Sequence, residues 1–316
     1  MVTNSTEKKI NQLVKISKYH YIDGLSQVEI AKKLHLSRPT ISRALQTAKE
    51  TGLVQIKIND PLTSTATLQK QLKEKYDLKD VIISTDTNDD ENIITQKLGE
   101  KAAEYLNTIV QDNDTVGISW GNTLHAVAIH LKPSDKQNVS IVHLKGSMAN
   151  AGHDNFSADI TTRFSRAFHT DALILPLPVI FDRPQIKSIV IKDRFIADTL
   201  QKGYDANIAI YTVGTTRPTA MLFNLGYLTE AEISYLRKHS VGDIDSHFVD
   251  ENAQIVDQSL DDRTVAISLA QLQKKTYSIL VAGGEAKIAP MKVALRAHYA
   301  NVLITDIDSA QALLLT

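Results

Sequence analysis

Residues 26–58 read SQVEIAKKLHLSRPTISRALQTAKETGLVQIKI, and this stretch decides how the first part of the chain folds. Ser26-Gln27-Val28-Glu29 has the form of a capping box, in which the serine oxygen accepts from the Glu29 amide and the glutamate reaches back to Ser26. Ile30, Ala31 and Leu34 then recur at helical spacing as a buried face. After the turn His35-Leu36-Ser37, the serine caps a second helix with Pro39 in its first turn, where a missing N–H breaks no bond. Ile41, Leu45 and Ala48 form its inner side, and Gly52 ends it. The alternation of Leu53, Val54, Ile56 and Ile58 predicts a short strand or wing. Upstream, Glu7 to Tyr21 places Ile10, Leu13, Val14, Ser17 and Tyr21 on one side of a further helix, which Gly24 stops.

Two short helices joined by a tight turn form a helix-turn-helix whose second helix enters a major groove. Ala31 is small where the helices cross, and Ser37, Arg38, Pro39, Thr40, Ser42 and Arg43, with Lys33 on the preceding helix, are the candidate contacts to double-stranded operator DNA. Charge points the same way. Residues 1–59 hold ten Lys/Arg against four Asp/Glu, a net +6, whereas residues 60–316 hold 25 against 32, a net −7. A basic module joined to an acidic one places the polyanion on the first. The plain alternative is a three-helix packing module with a solvated face.

The chain of 316 residues, 43% hydrophobic and 22% charged, is long enough for a sizeable core and is neither disordered nor collagenous in composition. With no Cys there is no thiolate nucleophile, cysteine metal site or disulfide, so a reducing, cytoplasmic setting is expected. The start, MVTNSTEKKINQ, has no apolar stretch after its lysines and does not read as a signal peptide. The longest apolar run, Ala172 to Phe181, is broken by Pro176 and Pro178, so no membrane partner is expected. Neither a metal nor a cofactor is called for.

The polar stretch Asn59 to Thr65 contains Pro61 and sets a boundary, giving a DNA-binding domain over 1–59 and an effector-binding and oligomerisation domain over 60–316. In the latter, Leu68, Leu72 and Tyr76 suit a helix. Strands are then expected at Val81–Ser84, Thr115–Ser119, Ser140–Leu144, Ala172–Leu177, Ala206–Val213, Val265–Ser268, Ser278–Ala282 and Val302–Thr305, with helical patterns between most of them. This is the rhythm of an α/β fold with a doubly wound, mostly parallel sheet, in which ligands bind beyond the carboxyl ends of the strands. Four segments follow strands there. Ser119 to Leu124, with Gly121, Asn122 and Thr123, could hold a phosphate on free amides or be an ordinary turn. Gly214-Thr215-Thr216-Arg217 and Gly283-Gly284-Glu285-Ala286-Lys287 offer open backbone and a cation, or are capped loops. Lys145-Gly146 ends an otherwise apolar strand.

The segment quoted above, followed by VGISWGNTL, VAGGEAK and NVLITD, resembles the SorC family of bacterial sugar-responsive transcription regulators over nearly the whole chain. The resemblance implies an effector domain similar to sugar-phosphate isomerase and glucosamine-phosphate deaminase folds, assembled as a homodimer or tetramer. It places the phosphate-holding turn on Gly121, Asn122, Thr123 and Leu124 and the glycine-lysine turn on Gly283, Gly284 and Lys287. Where many members carry Gly-Gly after the third strand, this chain reads Leu144-Lys145-Gly146-Ser147, and Gly214-Thr215-Thr216 stands where Gly-Ile-Gly-Ser is common. The lysine variant looks like the deoxyribonucleoside-regulator branch, whose effector class is deoxyribose phosphate.

The function expected is a repressor whose operator affinity a phosphorylated sugar controls. The alternative is a sugar-phosphate isomerase or deaminase with a DNA-binding appendage, since Gly242 to His247 and Asp250 supply carboxylates, Asp245 among them, and an imidazole that could move protons. Otherwise that segment is an exposed acidic loop closing the pocket. Lys145 either attacks an open aldehyde to form a Schiff base or donates hydrogen bonds to sugar hydroxyls.

Overall fold

A computed structural model describes residues 4–54, 64–85, 90–148 and 155–315. The chain divides into two compact units, Met1–Leu62 and Thr63–Thr316.

The first unit holds α1 (Asn4–Tyr21), α2 (Gln27–Leu34) and α3 (Arg38–Glu50). Both halves of the α2 capping box form, with Ser26 N donating to Glu29 at 2.8 Å. Ser37 caps α3 by accepting from the Thr40 amide, and Pro39 lies in its first turn. Ile16, Ile30, Ala31, Ile41 and Leu45 form the core. Each large aliphatic side chain there contributes roughly 1.5–3 kcal/mol by leaving water. On α1 the inward stripe is rotated from the expected one: Ile10 and Tyr21 are exposed, while Ile16 is buried beside Ser17. Leu13, Ile16, Ser17 and His20 keep the same 3, 4 and 7 spacing, so the local pattern suited either stripe and packing against α2 and α3 decided between them. Leu53 and Val54 form no strand; the rest of the expected wing, 55–58, and residues 59–63 lie outside the described residues.

The second unit opens with α4 (Thr65–Tyr76), β1 (Asp80–Ser84), α5 (Glu91–Ile109), β2 (Thr115–Ile118), α6 (Asn122–His130), β3 (Ser140–His143) and α7 (Ser157–Ala167). It continues through α8 (Pro184–Val190), α9 (Arg194–Asp205), β4 (Ile208–Tyr211), β5 (Val213–Gly214), α10 (Met221–Asn224) and α11 (Glu230–His239). Next come β6 (Gly242–Ile244), β7 (His247–Val249), α12 (Gln258–Asp261), α13 (Leu269–Leu272) and β8 (Tyr277–Val281). A 3₁₀ turn (Glu285–Lys287), α14 (Ile288–Arg296), β9 (Val302–Asp306) and α15 (Ile307–Leu314) close it.

Six strands form a parallel sheet in the order β1-β9-β8-β4-β2-β3. Alternate residues feed cores on opposite faces: Ile208 and Ile210 join one cluster, Ala209 and Tyr211 the other. That is why these strands read as unbroken apolar runs. From β2 the chain winds one way to β3, then returns past β2 and winds the other way through β4, β8 and β9, so the direction reverses between β2 and β4. A smaller antiparallel sheet, β5-β6-β7, stands at the end of β4.

Two expected strands are not formed. Ala172–Leu177 meets β3 at the single bridge Val142–Leu173 and continues as isolated contacts, because Pro176 and Pro178 have no N–H for a ladder. Val265–Ser268 likewise contributes only the bridge Lys145–Ala266, with Ile267 N donating to Leu144 O. Together the two segments cover the β3 edge.

Candidate functional site

The carboxyl ends of β2, β4 and β8 open onto a cavity of about 190 Å³, at the reversal point where this sheet geometry leaves a crevice. On the β2 side, Gly121 precedes α6 with φ 116°, a conformation that excludes other residue types, and gives the helix no side-chain cap. The first amides of α6 therefore have no partner from a capping side chain, and the helix dipole adds positive potential there. Gly121, Asn122 and Thr123 line the cavity. Leu124 is fully buried in the core and does not line the cavity.

Lys287 enters from the opposite wall. Its ammonium donates to Thr123 Oγ1 at 3.1 Å and to Thr212 Oγ1 at 3.4 Å. Burial pulls its pKa down to about 8, against the carboxylates of Asp243 and Glu91. Gly283 lines the cavity, whereas Gly284 lies behind it, its amide donating to Asp306 Oδ2 and Ser309 Oγ, both at 2.9 Å. Asp306 thus holds the turn that carries Lys287. Gly214 and Thr215 complete this wall, and the Gly214 Cα faces the Asp243 carboxylate too closely for any Cβ.

Lys145 lies on the cavity floor, only 4% exposed. It is paired rather than isolated in apolar surroundings: Asp245 Oδ1 is 3.3 Å away, Ser246 Oγ accepts at 3.1 Å, and the ring of Trp120 sits 3.9 Å below. Trp120 in turn donates to Gly146 O at 2.7 Å, so Gly146 fixes the wall without lining it. Asp245 also stands behind the wall, accepting from Ser119 Oγ at 2.6 Å.

The segment from Gly242 is neither an exposed acidic loop nor a set of free acid–base groups. It is a buried hairpin, β6 and β7, whose two turn residues Asp245 and Ser246 both have positive φ, 46° and 79°. That primed turn matches the strand twist and aims both side chains at Lys145. Asp243 accepts from Ser246 N at 2.8 Å, and burial raises its pKa against the pull of Lys145 and Lys287. His247 anchors the far side, with Nδ1 2.6 Å from Asp261 and Nε2 2.9 Å from Ile267 O. Burial works against its charge, but the bond and charge of Asp261, the Ile267 carbonyl and the charge of Asp245 together outweigh this and raise the pKa. Both partners accept, so both ring nitrogens donate.

Sequence reasoning missed Glu91 and Thr212 as cavity-lining residues, and it named the segment Ser119 to Leu124 without giving Trp120 a role of its own. Thr212 directly follows β4, which ends earlier than the expected strand Ala206–Val213, so the strand-end rule with the shorter strand would have found it. In the first unit, Ser37, Arg38, Pro39, Thr40, Ser42, Arg43 and Lys33 are all exposed, and the Lys33 ammonium lies 4.4 Å from the Tyr19 ring centroid.

A helix-turn-helix joined to an α/β unit with an anion-ready crevice defines a ligand-responsive transcription regulator. The comparisons agree: residues 60–315 match the sugar-binding domain family Sugar-bind, and residues 23–55 match the winged helix-turn-helix DNA-binding family. The chain is 42% identical over 300 residues to the deoxyribonucleoside regulator of Bacillus subtilis (strain 168), covering 95% of this chain and 96% of that protein. It is 27% identical to the sorbitol operon regulator of Klebsiella pneumoniae, covering 96% and 98%. The crystal structure of the full-length sorbitol operon regulator SorC from that organism superposes with a TM-score of 0.71 at 26% identity, covering 97% and 99%. The chain belongs to the SorC family of sugar-binding transcription regulators. Among the described residues, no helix is long and apolar enough to cross a membrane.

Proposed function

We propose that this regulator is a cytoplasmic repressor, a homodimer or tetramer, whose operator affinity is set by deoxyribose phosphate. Residues 1–59 read the operator through Lys33, Ser37, Arg38, Pro39, Thr40, Ser42 and Arg43. Residues 60–316 bind the effector and carry the oligomer contacts. The observation that carries the effector reading is the uncapped amino end of α6 facing Lys287 across one cavity. A phosphate there accepts from the amides after Gly121 and gains an ammonium point charge. The choice of deoxyribose rests on the 42% identity to the deoxyribonucleoside regulator and on Lys145 in the floor. Asp243 and Asp245 are held by Ser246, Ser119 and Lys145, which supports binding rather than turnover as the role of the site.

A thermal-shift screen against pentose and hexose phosphates tests this, because a ligand confined to the native state adds ~2.7 kcal/mol at a hundred times its Kd. Deoxyribose 5-phosphate should raise the melting temperature more than the other sugars, and Lys287→Ala should weaken it far more than unphosphorylated deoxyribose. Equal loss for both would move the phosphate elsewhere. Turnover of any sugar phosphate in the panel would restore the isomerase or deaminase reading.

A further inference from the structure

Glu91, the first residue of α5, and Arg217, on the loop after β5, both line the cavity. Arg217 Nη1 donates to Glu91 Oε1 at 2.7 Å, and the two side chains are 50% and 66% exposed. The charged residues lining the cavity divide by neighbourhood. Asp243 answers to Lys145 and Lys287 on the inner wall, whereas the Glu91 carboxylate takes its direct hydrogen bond from Arg217 and acts on Lys287 only through its charge.

We propose that Glu91 and Arg217 form a displaceable latch, in which Glu91 occupies the guanidinium until an anionic effector takes its place. This rests on the reading of the cavity as a site for a phosphorylated sugar. An ion pair this exposed is weak, because water screens it and both long side chains lose freedom in forming it. A phosphate offers the planar fork of an arginine two oxygens and up to twice the charge, so it competes well for the same donors. Once bound, the anion also repels the carboxylate beside it. Glu91 therefore opposes the ligand twice, by holding Arg217 and by its own charge, although it is a polar residue of the ligand site.

The exchange gives the effector the differential interaction that any switch requires. In the free protein the pair ties the first turn of α5 to the loop at Arg217. In the bound protein Arg217 turns to the anion and that tie is lost. The middle of α5 packs on α6 at Gly99 and Ala126, so α5 also adjoins the helix that carries the anion site.

Calorimetric titration of deoxyribose 5-phosphate and of inorganic phosphate into the full chain decides the matter, using wild type, Glu91→Gln, Arg217→Gln and the double variant. Glu91→Gln should tighten deoxyribose 5-phosphate by about three- to tenfold, and Arg217→Gln should weaken it about tenfold, the size of one charged hydrogen bond. The gain from Glu91→Gln should shrink in the Arg217→Gln background to the part that comes from lost repulsion, since the part that comes from freeing Arg217 requires that residue. Weaker or unchanged binding by Glu91→Gln, or a full gain without Arg217, overturns the latch while leaving the site intact. If the wild type binds neither compound, the phosphate reading fails and the latch falls with it. Unchanged melting of the free variants separates these results from misfolding.

Discussion

Lys145 meets a carboxylate, a hydroxyl and an indole face at once, so a positive charge on its nitrogen is stabilised from three sides. The same surroundings serve an ammonium that donates to sugar hydroxyls and an iminium formed with an open aldose phosphate, and chemical reduction separates the two. Borohydride reduction in the presence of deoxyribose 5-phosphate, followed by peptide mass analysis, should find a stable adduct confined to Lys145. Full occupancy without an adduct would leave this lysine a hydrogen-bond donor only. Lys287 has a different signature. Its pKa is lowered to about 8, and only the ammonium attracts an anion, so affinity for the phosphorylated ligand should fall as pH rises through that value. A flat affinity from pH 7 to pH 9 would remove Lys287 from the anion site. On the exposed side of α3, Arg43→Ala should cost on the order of 1–3 kcal/mol of operator binding if the arginine forks onto a guanine. A uniform loss on all sequences, with a shallower salt slope, would assign it to phosphate. Equal DNA binding by wild type and the Arg38→Ala/Arg43→Ala double variant would take the reading helix away from α3.

The crossing of α5 and α6 depends on Gly99, where an added Cβ would lie 2.5 Å from the Ala126 carbonyl carbon and 2.6 Å from its oxygen. Alanine is the better helix former by ~1 kcal/mol, yet here overpacking of roughly 1–3 kcal/mol wins. Gly99→Ala should therefore lower the denaturation midpoint and, by shifting α6, weaken the phosphorylated ligand; a stabilised variant would mean the helices separate freely. How far such elements could be read in advance varied with the physics. The Ser26 capping box and the Ser37 cap are local, and the structure reproduces both. Six of the sheet strands were legible because burial on both faces leaves apolar runs. The same signal misled at Ala172–Leu177, since apolarity reports burial and says nothing of the missing donors at Pro176 and Pro178. The hairpin β6–β7 was hidden for the opposite reason. Its carboxylates are buried among partners distant in the chain, Asp245 against Lys145 and Ser119 and Asp243 near Lys145 and Lys287. Gly121 and Lys287 were visible as turn residues, but their convergence on one cavity is a product of strand order.

Over the whole molecule two buried histidines oppose each other in pH. His143, 4% exposed, has its pKa pulled down to about 4 by burial, so its contribution is present above the ordinary value near 6.5 and lost as pH falls toward 4. The loss approaches ~3 kcal/mol in acid. His247 is raised, so its contribution is complete below the ordinary value and is lost as pH rises through its folded pKa. Denaturant melts should show His143→Gln flattening the acid limb of stability and His247→Gln the alkaline limb; the reverse assignment would refute both. The strand order carries a further consequence, for synthesis. β9 lies between β1 and β8, with Asp80 beside Val302, and Tyr76 donates to Leu313 O at 2.8 Å. The sheet therefore cannot close until its last strand has left the ribosome, roughly 10–40 s after its first at ~5–20 residues per second. Through that interval the three-helix unit, whose core is its own, has all of the residues it needs to fold. A message broken before residue 302 would thus release the three-helix unit with neither a closed effector sheet nor the oligomer contacts proposed for that domain.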